Sequence, residues 1–250
     1  MGKHSPGDFA AGIFIIDKPA DISSFGVVSR MRRILNMKKV GHAGTLDPFA
    51  TGLLIICAGR PATKLISLFM EGEKEYFATL QLGVETETLD TEGVVTNRRP
   101  VGYISAARVE SCLMGFHGTQ MQVPPAYSAL KHKGKPLYYY ARKGIEIAKE
   151  PRQIDISVIE RSDGGGDLTG ETAELGIRVV CSKGTYIRTL GADIGRALGC
   201  GAHLRQLRRT RSGCFSIDDC ISWQELQGDD AYNHCVSRML SVEQVCKMLQ

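Results

Sequence analysis

Apolar positions along the chain follow two periodicities, which together predict strands interleaved with helices. Residues 12–16 (GIFII) and 53–57 (LLIIC) are short apolar runs, which are typical of buried strands. Apolar residues occupy every second position of residues 74–83, which predicts a strand with one buried face. Residues 153–160 and 171–181 are also β-like, so the sequence predicts a sheet of several strands.

Helical periodicity marks the segments between these strands. Ser23 or Ser24 can cap a helix whose apolar side includes Val27, Val28 and Met31. Further helices are predicted over residues 63–70, 104–116 and 186–198, and from about residue 218 to Gln250. Strands and helices interleave without a regular βαβ repeat. The predicted class is therefore α+β, with a mixed, mostly antiparallel central sheet flanked by helices and loops.

Residues 123–151 differ in composition from the rest of the chain, being rich in Lys, Arg, Tyr, Gly and Pro. Basic and aromatic residues that alternate in this way are suited to contacts with RNA backbone and bases. A packed surface hairpin is the alternative interpretation. Residues 1–11 are expected to form a flexible lead-in to the folded part of the chain.

Length and charge set broad limits on the protein class. The 250 residues allow one large domain or two small ones, and 43% hydrophobic with 23% charged residues is ordinary for a globular protein. A net charge of +4 permits a polyanionic partner without requiring one. No apolar run approaches the ~20 residues of a membrane helix, and no export signal is evident. A cytoplasmic protein is expected.

The eight cysteines are expected to be reduced, because nothing marks the chain as secreted and no C-x-x-C pair occurs. The six histidines form no spaced ligand set either, so no metal site is expected. No G-x-S-x-G segment, phosphate-binding loop or local Cys–His signature is present. A lone carboxylate is therefore the most economical candidate for chemistry.

Asp47 is the first such candidate, in a glycine-punctuated loop that precedes the strand at residues 53–57. Pro48 biases Asp47 away from the helical region and stiffens the backbone there. Gly44 and Gly52 allow tight turns on either side. An Asp-Pro pair in a glycine-rich loop is more often only a turn, and that interpretation stays open on these residues alone.

Four other side chains have chemical potential but also ordinary explanations. Arg188 could hold a carboxylate ionised through a bidentate pair, or it could lie on the surface. Tyr76 and Tyr186 could stack on a base removed from its helix, or they could be core residues. His42 could donate to a phosphate or a base edge, although a lone loop histidine usually does no chemistry.

Seven segments in order resemble a known family. They are residues 12–19 (GIFIIDKP), 41–52 (GHAGTLDPFATG), 74–78 (KEYFA), 123–131 (VPPAYSALK), 181–189 (CSKGTYIRT), 199–204 (GCGAHL) and 207–209 (LRR). Together they resemble the TruB family of tRNA pseudouridine synthases. The resemblance covers about residues 12–217, and this many motifs in the right order are very specific. It implies the pseudouridine synthase fold, with a single catalytic domain over residues 12–250.

The resemblance also implies a catalytic set and a reaction. Asp47 matches the catalytic aspartate, Arg188 the arginine that pairs with it, and Tyr76 the tyrosine that stacks on the target base. The implied substrate is uridine 55 in the T loop of tRNA, and isomerisation to pseudouridine needs no cofactor. Asp47 could attack C1′, add to C6 of the ring or take a proton from C2′, and the sequence leaves these routes open.

Further residues are matched to substrate binding. Tyr186 matches a second active-site tyrosine, Leu207 an apolar residue that lines the pocket, and His42 a histidine near the flipped nucleotides. Lys18, in the first segment, is assigned to substrate binding with them. Residues 124–151 match the lobe that closes over the tRNA T arm, and the implied partner is therefore tRNA, bound by a monomer.

Two other functions remain as alternatives. A tRNA-binding or folding module acting on the T arm would use the same basic lobe without catalysis. A nucleoside hydrolase would release free uracil. The chain also departs from family members that carry a C-terminal PUA-type domain, since it ends at Gln250. That domain is expected to be absent or truncated, with tRNA affinity affected more than chemistry.

Overall fold

The computed structural model of the protein describes residues 10–249. Most of the expected lead-in over residues 1–11 lies outside the described residues, as does Gln250 at the end of the predicted C-terminal helices. The chain forms two compact units. One, the first unit, contains the residues up to Tyr76 together with those from Arg208 onward, and the second unit is Phe77–Leu207.

Short strands account for much of the described chain. They are β1 Gly12–Lys18, β2 Val40–Ala43, β3 Thr51–Ala58, β4 Lys74–Leu82, β5 Val84–Thr86, β6 Val95–Arg98, β7 Val101–Ile104, β8 Gly118–Gln122, β9 Lys131–His132, β10 Lys135–Pro136, β11 Arg152–Arg161, β12 Leu168–Gly170, β13 Ala173–Cys181, β14 Ala202–Ser212 and β15 Phe215–Ser216.

The helices are short, and most of them follow or precede a strand. They are α1 Ser24–Ile34, α2 Arg60–Thr63, α3 Ile66–Phe69, α4 Ala106–Met114, α5 Leu137–Ala141, α6 Ile187–Leu198, α7 Ala231–Ser237 and α8 Val242–Met248, with a 3-10 turn at Ile217–Asp219.

Strand β3 is the centre of the sheet in the first unit. It pairs antiparallel with β1 from Gly52 to Ala58 and with β2 from Ile55 to Ala58. Its first residues, Thr51 and Gly52, pair in parallel with Arg208 and Arg209 of β14. Because β2 and β3 pair antiparallel in the sheet, both ends of the loop that joins them, residues 44–50, are held in place.

Both faces of β3 are buried, which explains its unbroken apolar sequence. Its side chains contribute to a cluster with β1, β2 and the helices that follow. The fully or nearly buried members are Ile13, Ile15, Ala43, Leu53, Ile55, Cys57, Ala62, Phe69, Phe215 and Val245. Burial of so much apolar area holds the strands on either side of the β2–β3 loop.

The second unit is also built on antiparallel strands. β11 pairs with β13 on one side and with β8 on the other, and α4 packs on β11 and α6. Two smaller pairs in this unit are β5 with β6 and β7 with β12. Residues 123–151, between β8 and β11, contain the β9–β10 hairpin and helix α5.

The predicted α+β class with a mixed, mostly antiparallel sheet is confirmed, but two local predictions differ from the structure. Only Ile66–Phe69 of the helix expected over residues 63–70 forms a helix of its own, since α2 ends at Thr63, where the Leu65 N–H bonds the Ala62 carbonyl three residues back and tightens the turn. The strand expected to continue to about Ile217 turns back at Gly213, whose φ is +59°, and forms the β14–β15 hairpin.

Candidate active site

Asp47 lies in the loop between β2 and β3, where the sequence predicts it, and is half-buried. Its carbonyl accepts a hydrogen bond from the Ala50 N–H at 3.2 Å, which forms a tight turn around Pro48. The glycines at either end have φ values of +78° for Gly44 and +103° for Gly52, conformations that other residues rarely adopt. The loop conformation is therefore set by its own sequence at both ends.

Ser24 fixes the residue before Asp47. Its Oγ donates to the Leu46 carbonyl at 3.0 Å and accepts from the Leu46 N–H at 2.9 Å. Ser24 is only 3% exposed, so the bonds are shielded from water. The neighbouring Ser23 instead caps α1, because its side chain accepts a hydrogen bond from the Gly26 N–H at 3.0 Å.

Lys18 fixes the residue after Asp47. Its ammonium group donates to the carbonyls of Pro19 at 2.8 Å, Ile22 at 2.6 Å and Pro48 at 3.0 Å. The side chain is fully buried, and three carbonyls match the three donors of an ammonium. This geometry supports a role for Lys18 in holding the loop, and its expected contact with substrate stays a prediction.

Arg209 supports the loop at both ends. Its Nε donates to the Leu53 carbonyl at 2.8 Å and a terminal nitrogen donates to the Gly44 carbonyl at 3.0 Å, while the side chain is 1% exposed. A Cβ on Gly52 would lie 2.2 Å from the Arg209 carbonyl oxygen, so only glycine fits there. Arg209 was matched only as part of a motif, and its supporting role is evident only in the structure.

His42 is on β2, just before the loop, opposite Ile56 of β3. Burial lowers its pKa below the ordinary value of 6.5, and the positive charge of Arg209 lowers it further. Within the described residues, its buried Nδ1 has no hydrogen-bond partner. Because of its lowered pKa, the imidazole is neutral at pH 7.

Tyr76 is on β4, and 8% of its surface is exposed. Buried residues alternate along β4, as the sequence predicts, and Tyr76 belongs to the buried set. Lys18, His42, Asp47 and Tyr76 are thus all in the first unit.

The other predicted residues are in the second unit, where Tyr186 is the N-cap residue of α6. Gln122, at the end of β8, holds its backbone: Oε1 accepts from the Tyr186 N–H at 2.8 Å, and Nε2 donates to the Tyr186 carbonyl at 3.1 Å. Leu207, on β14, is 8% exposed.

Arg188 is in the first turn of α6 and is 5% exposed. Its guanidinium is 3.3 Å from Oδ2 of Asp90 and donates to the carbonyls of Thr88 at 2.9 Å and Tyr127 at 2.7 Å. The alternative that Arg188 is a surface residue is therefore wrong.

Asp90 is the acidic partner of Arg188 that the sequence prediction missed. It is 2% exposed, and its Oδ1 accepts from the Glu92 N–H at 3.0 Å and from the Thr88 hydroxyl. Its position at the start of a T-E-G turn is the only signal in the sequence, and it is a weak one. The expected pairing of Arg188 with Asp47 stays a prediction.

Each of the two units holds one positioned part. One is a carboxylate on a loop whose flanking residues are held by buried side chains, and the other is a guanidinium and a tyrosine at the start of a helix. Among residues 10–249, no three or more His, Cys, Asp or Glu side chains are grouped so that they could hold a metal ion. No helix in that range has the length and apolar character needed to cross a bilayer.

Comparisons with known proteins identify the family. Residues 32–187 match the TruB family pseudouridylate synthase (N terminal domain), and residues 188–244 match the tRNA pseudouridylate synthase B C-terminal domain. The chain is 66% identical over 243 residues to tRNA pseudouridine synthase B of Desulfotalea psychrophila, covering 97% of this chain and 98% of the relative. The protein of the same name from Chromobacterium violaceum is 51% identical over 219 residues, or 88% of this chain and 69% of the relative.

A solved structure supports the fold assignment. The crystal structure of a Cbf5-Nop10-Gar1 complex contains a chain that is 28% identical, with a TM-score of 0.66. The match covers 95% of this chain but only 62% of that one. The predicted pseudouridine synthase fold is therefore confirmed. From these matches, we conclude that the chain belongs to the TruB family and is a tRNA-modifying pseudouridine synthase, an isomerase.

Proposed function

We propose that the protein converts uridine 55 in the T loop of tRNA to pseudouridine, with Asp47 as the nucleophile. The observation that carries the proposal is the support of the Asp47 loop. Leu46 and Pro48, on either side of Asp47, are both hydrogen-bonded to buried side chains, those of Ser24 and Lys18. A carboxylate held in this way is suited to attack at one defined point of a substrate.

The reaction breaks the N1–C1′ glycosidic bond, turns the uracil and rejoins it through C5. Glycosidases generally use two carboxylates, one of which protonates the leaving group. Uracil leaves more easily than a sugar alkoxide, so one carboxylate is enough here. Asp47 must be ionised to act, and we propose that the Arg188 guanidinium pairs with it and favours that state.

The target uridine must be extruded from the T loop before Asp47 can reach it, at a cost of a few kcal/mol. We assign the offsetting contacts to Tyr76, which stacks on the base, to Tyr186 and Leu207, which line the pocket, and to His42, which lies near the flipped nucleotides. The neutral state of His42 supports its role, because a neutral imidazole can accept as well as donate a hydrogen bond.

Residues 124–151 are proposed to contact the T arm. Lys135 and Lys143 each lie near the Tyr139 ring, at 4.3 and 4.5 Å from its centroid, and Arg142 lies 5.5 Å from the Tyr138 ring. Such pairs offer positive charge for phosphates beside flat rings for bases. We further propose that the enzyme acts as a monomer in the cytoplasm, where its eight free cysteines would stay reduced.

The test is pseudouridine mapping in a T-arm stem-loop after incubation with the purified protein. Tritium release from C5-labelled uridine gives the rate. We expect conversion at position 55 by the wild type, and none by Asp47→Asn, which keeps the shape of the side chain but loses its charge. Asp229→Asn makes the same charge change at an exposed position and should keep wild-type activity.

Each other outcome contradicts a defined part of the proposal. Appreciable pseudouridine formation by Asp47→Asn would refute the nucleophile. Binding of the stem-loop by the wild type without conversion would favour a tRNA-binding or folding module. Release of free uracil would favour a nucleoside hydrolase. Conversion at a different uridine would contradict the assignment of position 55.

A further inference from the structure

We propose that Gln122 is a positioning residue, which sets the orientation of Tyr186 and Arg188 and ties both to residues 124–151. The inference rests on the proposed function, because it assumes that Tyr186 and Arg188 serve the reaction. Gln122 is 5% exposed, and both polar atoms of its amide bond the backbone of Tyr186. The amide therefore pairs with Tyr186 as a neighbouring strand would.

The two hydrogen bonds from the Gln122 amide to the Tyr186 backbone, called the clamp below, have a direct consequence for the Tyr186 side chain. The N–H and the carbonyl of a residue belong to the two peptide planes on either side of its Cα, so holding both fixes φ and ψ. The direction of the Cα–Cβ bond is then also fixed. The side chain of Tyr186 makes no capping bond to the helix, so the Gln122 amide supplies a restraint that the cap residue itself does not.

The same clamp sets the start of α6. The Tyr186 carbonyl also accepts the first helical hydrogen bond, from the Leu190 N–H at 3.1 Å. Ile187 is the first helical residue and Arg188 the second, so an α6 that begins elsewhere or tilts would move the guanidinium. A displacement of about 1 Å at a reacting group can cost on the order of a hundredfold in rate.

Gln122 also stands at the entry to the predicted RNA-contacting segment. It is the last residue of β8, and a few residues further on the Tyr127 carbonyl accepts from Arg188 at 2.7 Å. Residues 123–126 therefore lie between two connections to residues 186–188. One connection is the bond of the Gln122 side chain to Tyr186, and the other is the bond of the Arg188 side chain to Tyr127. Through these connections, a displacement of residues 124–151 would also displace Tyr186 and Arg188.

The experiment compares Gln122→Ala with Gln120→Ala, a matched control on the same strand. Gln120 also uses its amide to donate to a backbone carbonyl, that of Phe116 at 2.6 Å, but it has no bond to Tyr186. Assays are run well below the melting temperature of each variant. We expect kcat on the T-arm stem-loop to fall roughly ten- to a hundredfold in Gln122→Ala, with binding unchanged, and to stay at the wild-type value in Gln120→Ala.

A purely structural role for Gln122 would lower the melting temperature without changing kcat of the folded enzyme, so Gln122→Glu provides a second readout. Its carboxylate still accepts from the Tyr186 N–H but cannot donate to the carbonyl, whereas the protonated acid can donate. Burial raises the pKa of such a carboxyl group. We expect the kcat of Gln122→Glu, divided by the wild-type value at each pH, to rise as the pH falls, while the same ratio for Gln122→Ala stays flat.

Hydrogen exchange of the peptide around Tyr186 reports the clamp independently of activity. Exchange of the Tyr186 amide should be faster in Gln122→Ala and unchanged in Gln120→Ala. With an active wild type, a wild-type kcat or unchanged exchange in Gln122→Ala would overturn the inference alone. A wild type that forms no pseudouridine in the stem-loop would overturn the proposed function, and with it the catalytic part of this inference.

Discussion

Ser24 and Leu46 are joined by a closed pair of hydrogen bonds, in which one hydroxyl serves both the N–H and the carbonyl of a single residue. The residue that follows Leu46 is Asp47, so the hydroxyl fixes the backbone on which the proposed nucleophile is mounted. Ser24 and Leu46 are 22 positions apart in the sequence, so these bonds hold the start of α1 against the β2–β3 loop.

The first prediction compares two adjacent serines. Ser24→Ala leaves two buried backbone groups of Leu46 without a partner, and we expect a loss of about 1–3 kcal/mol in the free energy of unfolding. A kcat at least roughly tenfold below wild type should accompany it, because the Asp47 loop is released. Ser23→Ala removes only the cap of α1, which costs about 1 kcal/mol.

Urea unfolding and single-turnover rates measure both effects. The expected result is that Ser24→Ala is at least as destabilising as Ser23→Ala and differs from it widely in rate. Equal rates for Ser23→Ala and Ser24→Ala would mean that Ser24 does not position Asp47.

The second prediction concerns Asp90. Asp90→Asn keeps the shape of the side chain but leaves the buried Arg188 guanidinium without the carboxylate 3.3 Å away. Removing one partner of a buried ion pair costs about 3–5 kcal/mol, and turnover should fall as the guanidinium shifts. Asp193→Asn breaks an exposed pair with Arg196 on α6, and should cost less than about 1 kcal/mol. If thermal melts and initial rates of the two variants agree, Asp90 is not the support of Arg188.

The third prediction is a pH dependence of stability caused by His42. Its pKa in the folded protein is below 6.5, so the unfolded chain takes up a proton first as the pH falls through that value. The contribution of His42 to the free energy of unfolding should therefore be constant well above pH 6.5 and should decrease as the pH falls through that value. His42→Gln cannot titrate, and its unfolding free energy, measured by urea denaturation at several pH values, should fall less steeply. An identical slope in both proteins would exclude His42 as the cause.

The fourth prediction uses two glycines. Gly52→Ala places a Cβ 2.2 Å from the Arg209 carbonyl oxygen at a φ of +103°, and should destabilise the protein by more than the ~1–3 kcal/mol of backbone strain alone. Gly102→Ala, on β7, meets nothing within 4 Å and should be neutral or slightly stabilising. Circular dichroism melts would distinguish them, and a small shift for Gly52→Ala would mean that β3 and β14 can separate at that point.

Local elements could be predicted from the sequence because their causes are local. The apolar runs of β1 and β3, the alternation of β4 and the serine cap of α1 are all encoded within a few residues. The glycine-punctuated loop around Asp47 is encoded in the same local way, whereas the catalytic role of Asp47 is implied by the family resemblance and stays a prediction. The observed ends of these strands and helices differ from the predicted ones by a few residues, because hydrogen bonding to neighbouring strands determines where an element ends.

The supports of the site could not be predicted, because they depend on contacts between distant positions. Asp90 and Arg188 are 98 residues apart, and each is an ordinary charged residue in its own segment. Gln122 gains its importance from a bond to residue 186, 64 positions away. The sequence motif around Lys18 predicts a role in substrate binding, whereas the burial of its side chain depends on the folded loop. Pairings of this kind are fixed only when tertiary structure forms.

Arg209 has a consequence for the order in which the protein matures during synthesis. It bonds the Gly44 carbonyl, and 165 residues separate the two. At roughly 5–20 residues per second, the ribosome needs about 10–30 s to make the intervening chain. The loop that carries Asp47 thus lacks its Arg209 support throughout that interval. A nascent chain that has already made every residue of the loop does not yet hold the proposed nucleophile in its final position, and we expect tRNA modification to wait for the C-terminal part of the polypeptide.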